Sequence, residues 1–96
     1  MADHVVTRDV AGAHGRYVIR KDGEEAELTY RVTSPTLVAA DHTGVPDSFR
    51  GTGAGVALVT QLVADARAEG FKIRPLCPFV IATRKKHPEW ADVFAV

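Results

Sequence analysis

The sequence predicts a mixed α/β domain of order βββαβα, an antiparallel meander followed by a parallel strand–helix–strand crossover and a second helix. Three observations carry this. Residues 25–32 alternate between apolar and polar side chains, Val56, Val59, Leu62, Val63 and Ala66 recur at helical spacing, and strand-forming runs flank that helical stretch. With 96 residues there is room for one domain and a thin core.

Residues 1–14 contain Gly12 and show no periodicity, so they read as an N-terminal arm that ends in an edge strand, and residues 15–96 read as the folded domain. Arg16–Lys21 is rich in strand formers, and Asp22-Gly23 supplies the positive φ of a tight hairpin. In the next strand Ala26, Leu28, Tyr30 and Val32 share one face, and Glu25, Glu27, Thr29 and Arg31 the other. Ser34-Pro35 breaks it, and Thr36–Thr43 forms a third strand. A helix is expected near 53–69, closed by Gly70, then a short strand Phe71–Arg74 stopped by Pro75. Strand, crossover helix and strand imply a parallel pair. Pro78 suits the first turn of a second helix, running to about Lys86 and ending before His87-Pro88.

Lys plus Arg and Asp plus Glu number 12 each, so the formal net charge is zero. That argues against the backbone of nucleic acid as the main partner, but leaves room for one phosphorylated ligand held by local donors. The single cysteine, Cys77, allows no internal disulfide and fits a reducing compartment. No apolar run suggests a signal peptide or a membrane span, so a cytoplasmic location without a membrane partner is expected. A thin core is compatible with a homodimer without demanding one.

The candidate chemistry lies in Arg50-Gly51-Thr52-Gly53-Ala54-Gly55, between a strand and a helix start. Glycines permit unusual φ and ψ, and the first turn of a helix presents unpaired N–H groups with partial positive charge, which together suit a pyrophosphate. Arg50 adds a charged donor. The spacing is not the dinucleotide fingerprint, and the Gly-Lys-Ser/Thr ending of a triphosphate loop is missing. On the glycines alone, a turn without a ligand fits equally well.

Val45-Pro46-Asp47-Ser48-Phe49-Arg50-Gly51-Thr52-Gly53-Ala54-Gly55-Val56-Ala57-Leu58-Val59 resembles the coenzyme A loop of the GNAT N-acetyltransferases. His42-Thr43-Gly44-Val45-Pro46, Pro75-Leu76-Cys77-Pro78-Phe79-Val80 and Lys86-His87-Pro88-Glu89-Trp90, in that order, resemble the short YjdJ-like group of that superfamily. The resemblance spans about residues 15–94 and implies acetyl-coenzyme A as co-substrate, with direct transfer of acetyl to an unidentified amine. It implies that Val45 offers backbone groups to the pantetheine arm and that Arg50, Gly51, Thr52, Gly53, Ala54 and Gly55 hold the pyrophosphate. The sequence departs from the full-sized pattern at Asp22-Gly23, where only a hairpin fits in place of the helices that help build an acceptor site. It departs from the short group at Thr83, where a Tyr is usual, and carries Ala54 where a larger aliphatic residue is usual.

Two residues are candidates for catalysis. Cys77 precedes Pro78 at an expected helix N-terminus, which favours the thiolate; it reads as a nucleophile, an acid for the leaving thiolate, a pocket wall or a small core residue. His42, at the end of the third strand, reads as a general base or as a partner for a neighbouring loop. His87 is expected to cap the second helix near Lys85 and Lys86, His4 and His14 belong to the arm, and Trp90 and Phe94 seal the core. The histidines and the cysteine lack metal-ligand spacing, so no metal is expected. Other functions left open are a coenzyme A or acyl-coenzyme A binding module with little turnover, and a protein-interaction domain whose glycine loop is only a turn.

Overall fold

Four strands are laid down by three tight turns before the chain makes its first long excursion. The structure, a computed structural model, describes residues 4–95. Strands β1 (Thr7–Ala11), β2 (His14–Lys21), β3 (Glu24–Ser34) and β4 (Leu37–Gly44) pair antiparallel in sequence order. At the β2–β3 turn Asp22 and Gly23 have φ of 52° and 79°, the pair of positive values that lets two strands twist together across a two-residue hairpin. The chain then passes through a 3-10 turn, Asp47–Phe49, and helix α1 (Ala54–Glu69), and returns as β5 (Lys72–Pro75), parallel to β4. Helix α2 (Pro78–Lys85) and a 3-10 turn at Pro88–Trp90 follow. The sheet order β1-β2-β3-β4-β5 is the expected meander and crossover, with the edge strand of the arm at Thr7–Ala11.

Helix α1 lies against β2 and β3, α2 lies against β4 and β5, and the two helices touch. Between them and the sheet sits one apolar core in which Tyr17, Leu28, Leu58, Leu62, Ile73 and Val80 have no accessible surface. Each such aliphatic residue stabilises the fold by roughly 2–5 kcal/mol relative to Ala. Trp90 and Phe94 close the core as expected, with 7% and 4% exposure. Gly70 takes the left-handed conformation (φ 80°) and its N–H donates to Ala66 O, ending α1 where the sequence placed the stop.

The opposite face of the sheet is covered by ion pairs. Arg16 pairs with Asp9, Glu25 and Glu27, Arg20 with Asp9 and Glu25, and Arg31 with Asp41. Exposed pairs stabilise little individually, but they keep this face hydrated. At the β5 edge, Ile73 N–H donates to Val93 O and Ala95 N–H to Ile73 O, both at 2.7 Å, so the C-terminal segment covers that strand.

Two expectations change in detail. Val32, placed on the core face by alternation, is 41% exposed: it lies beside the β1–β2 turn, where its N–H donates to Ala13 O, past the end of the packed core. His14 is not an arm residue, because it opens β2 opposite Arg31. Of the arm, residues 1–3 lie outside the described residues, and 7–11 form β1.

Candidate functional site

The site is built where two strands separate. β4 and β5 pair from Leu37↔Lys72 to Ala40↔Pro75 and no further. The N–H groups of Leu76 and Cys77 both donate to Ala40 O at 3.0 Å, which turns the chain away into α2. β4 runs on to Gly44 without β5 beside it, so its backbone groups face the gap. At the same point β4 carries a bulge: Tyr30 pairs with Ala40 but Thr29 with His42, leaving Asp41 as the extra residue.

The bulge decides which side chains enter the site. Without it, alternation from buried Ala40 would send His42 toward the helices and Thr43 away. With it, Thr43 stands opposite core residue Leu28 and faces Cys77, while exposed His42 stands opposite Thr29 on the ion-paired face. Thus the two expected catalytic residues lie on opposite sides of β4 and do not meet.

Cys77 is the N-cap of α2, with extended backbone (φ −75°, ψ 128°) and Pro78 at the first helical position. It is buried, and its Sγ–H donates to Thr43 Oγ1 at 3.3 Å. Burial pushes the thiol up, but the Thr43 hydroxyl and the N–H groups of Val80 and Phe79 more than offset this and leave it below the ordinary thiol value.

The glycine loop borders the same gap. Gly51 and Gly53 both have φ of 77°, a conformation that other residues adopt only with strain, and Gly53 is the N-cap of α1. Buried Phe49 anchors the loop, and Thr52 Oγ1 donates to Phe49 O at 2.6 Å while accepting from Ala54 N–H at 3.3 Å. Among the described residues no protein acceptor takes the N–H of Gly53, Gly55 or Val56. Arg50 projects into solvent, 82% exposed, and pairs with Asp47 at 3.1 Å. The cleft, about 330 Å³, is lined by Thr43, Val45, Phe49, the loop, Val56 and Phe79. Val45, Val56 and Phe79 are among the most exposed large apolar residues of the protein.

Sequence reasoning missed three residues here. Thr43 becomes a partner of Cys77 only because of the bulge. His4 comes from the arm, and its Nε2 lies 2.7 Å from Thr52 O on the loop. Phe79 stands at the cleft wall; its place two residues after Cys77, on the first turn of α2, was the available signal. The expected capping role of His87 is corrected: its Nδ1 bonds Glu89 Oε2 at 2.9 Å and its ring stacks on Trp90 at 4.0 Å, because the 3-10 turn folds Glu89 and Trp90 back onto it. Thr83, at the position where a Tyr is usual in the short group, is buried and donates to Phe79 O at 2.8 Å. Among the described residues no three metal-ligating side chains converge, and no helix is long and apolar enough to cross a membrane.

No curated protein matches the chain at a significant level. Among solved structures, the NMR solution structure of a GCN5-like protein from Staphylococcus aureus is similar, with 30% identity over 93% of this chain and 87% of that one and a TM-score of 0.73. The profile of the GCN5-related N-acetyl-transferases matches residues 16–93. The chain belongs to the GCN5-related N-acetyl-transferase family.

Proposed function

We propose that the domain binds acetyl-coenzyme A in the cleft between the glycine loop and the gap between β4 and β5, and moves its acetyl group directly to an amine, as a cytoplasmic member of the short YjdJ-like group. One observation carries this reading: two positive-φ glycines and the free N–H groups of α1 open onto the same cleft as the unpaired end of β4. The pyrophosphate would rest on Gly51, Thr52, Gly53, Ala54 and Gly55 with Arg50 beside it. The pantetheine arm would run along the β4 backbone at Val45, against the apolar walls of Val56 and Phe79. That course brings the thioester toward Thr43 and Cys77.

The chemistry is set by this placement. The neutral amine attacks the thioester carbonyl, the carbon–sulfur bond breaks, and coenzyme A leaves as a thiolate that takes a proton. Cys77 and Thr43, hydrogen-bonded to each other, sit on the side from which that proton is supplied. The amine must lose a proton on the opposite side of β4, where His42 is exposed as a base. On that face a hollow of about 420 Å³, lined mainly by β1, β2 and β3, reaches β4 at Asp41, next to His42 in the chain. The two-residue hairpin at Asp22-Gly23, in place of acceptor helices, favours a second reading: the domain would serve as a coenzyme A binding module with little turnover.

Calorimetric titration with coenzyme A and an acetyl-transfer assay on a panel of amines test the two readings. Binding with turnover supports transfer, binding without turnover on any amine supports the module, and no binding defeats both. Intact-protein mass measurement after incubation with acetyl-coenzyme A should show no lasting acetyl adduct on Cys77; an adduct that passes to an added amine would replace direct transfer by a covalent mechanism.

A further inference from the structure

Gly55, the last glycine of the loop, is glycine for a different reason from the other two. It lies inside α1 without a positive φ, so its conformation suits any residue. Yet a Cβ on it would stand 2.6 Å from Cζ, 3.0 Å from Cε2 and 3.3 Å from Cε1 of Phe79. At Gly51 and Gly53 a Cβ would meet nothing within 4 Å. The edge of the Phe79 ring therefore fills the space of the missing methyl group. Phe79 is 38% exposed and stands outside the apolar core, so Gly55 is the seat that holds it.

That seat joins two helix starts. Gly55 is the second residue of α1, directly after the loop; Phe79 is the second residue of α2, whose N-cap is Cys77. Cys77 precedes Phe79 by two residues, and its Sγ–H donates to Thr43 Oγ1 at 3.3 Å, so the orientation of this one turn sets how the sulfur sits against its hydroxyl partner.

We propose that the seating of Phe79 on Gly55 is the positioning contact that couples the glycine loop to Cys77, so that a shift of the start of α1 moves the first turn of α2 and with it the Cys77 sulfur relative to Thr43. Phe79 is a positioning residue, acting on Cys77 through its backbone. The proposal deepens the reading of loop and cysteine given above and rests on it.

The chain has one cysteine, so the rate of thiol alkylation against pH, followed by intact mass, titrates Cys77 alone, in protein without ligand. Gly55→Ala should push the ring off and raise the titration midpoint by about half to one pH unit, the equivalent of one weakened hydrogen bond to the sulfur. Phe79→Ala should raise it similarly. In the double variant the new methyl group meets no ring, so the shift should equal that of Phe79→Ala alone rather than the sum of the two. An unchanged midpoint in folded Gly55→Ala, or strictly additive shifts, would overturn the proposal. If circular dichroism shows that Gly55→Ala does not fold, Phe79→Ala decides: a raised midpoint supports the coupling and an unchanged one overturns it. Calorimetry of the unaltered protein with coenzyme A decides the underlying reading separately, because the titration needs no cofactor.

Discussion

Thr43 Oγ1 accepts a hydrogen bond from Cys77 Sγ at 3.3 Å, across the point where β4 and β5 part and over 34 residues of sequence. The hydroxyl is there because one extra residue, Asp41, reverses the alternation of β4. Replacing Thr43 with Val keeps the shape and removes the partner. The thiolate then loses a hydrogen bond to a charged group, so the alkylation rate of Cys77 near neutral pH should fall roughly tenfold, with the pH profile displaced upward. A rate-against-pH series with iodoacetamide checks this, and equal profiles for the two proteins would remove Thr43 from the account of Cys77.

Arg50 makes its only ion pair among the described residues with Asp47, at the surface. Exchanging that pair for a pyrophosphate costs the fold little, so Arg50→Ala should leave the melting temperature in place and weaken coenzyme A binding by about 1.5–3 kcal/mol. Arg50→Lys should recover part of the loss, since it keeps the charge but lacks the planar fork. Calorimetry at constant ionic strength is the check; full affinity in Arg50→Ala would direct the side chain elsewhere.

Gly53→Ala separates conformation from space. A Cβ there meets nothing, yet φ is 77°. The variant should therefore lose about 1–2 kcal/mol of stability from backbone strain. Coenzyme A affinity should fall as well if the loop holds the pyrophosphate, because the methyl group would stand where a phosphate would approach the backbone. Urea unfolding and calorimetry measure the two effects separately, and unchanged affinity in the folded variant would contradict the loop assignment.

Tyr17 Oη donates to Asp65 Oδ2 at 2.7 Å, joining β2 to α1. Burial pushes the Tyr17 phenol up, the bond to Asp65 pushes it further, and nearby Arg8 pulls it back only in part. The folded value is raised above the unfolded one. This contribution to stability is therefore complete below the ordinary tyrosine range near pH 10 and is lost as pH rises beyond it. Wild type should lose stability steeply in alkali. Tyr17→Phe should start lower, by about 1 kcal/mol at neutral pH, and fall less steeply. Urea melts from pH 8 to 11 test the crossing slopes; parallel curves would mean that Tyr17 ionises freely in the folded protein.

How far the sequence discloses this molecule varies with the range of the interaction responsible. The β3 alternation, the α1 spacing and Gly70 are local signals, and the structure obeys them except at the ends, where Val32 and Val56 are exposed. β1 gave no such signal, because all five residues of Thr7–Ala11 are exposed and no burial pattern imprints an alternation on them. The loop was legible because its glycines and Arg50 are contiguous. The surroundings of Cys77 were not, because Thr43 and Phe79 reach their places through a bulge and a helix-to-helix contact that no local pattern records. His42 illustrates the limit: its neighbours in sequence placed it near the site, and a single inserted residue turned it to the other face.

The separation of β4 from β5 also bears on the order in which the molecule assembles. The first four strands zip up through tight turns, each closing only a short loop. β5 must wait until residues 45–71 have closed as one long excursion, a slower and entropically costlier event. The cleft exists only after that event, since one wall belongs to the excursion and another, Phe79, to α2 beyond β5. Amide exchange should therefore find the meander protected longest and the turn at Cys77 released earliest, so that the part of the protein suited to chemistry is also the part completed last and opened first.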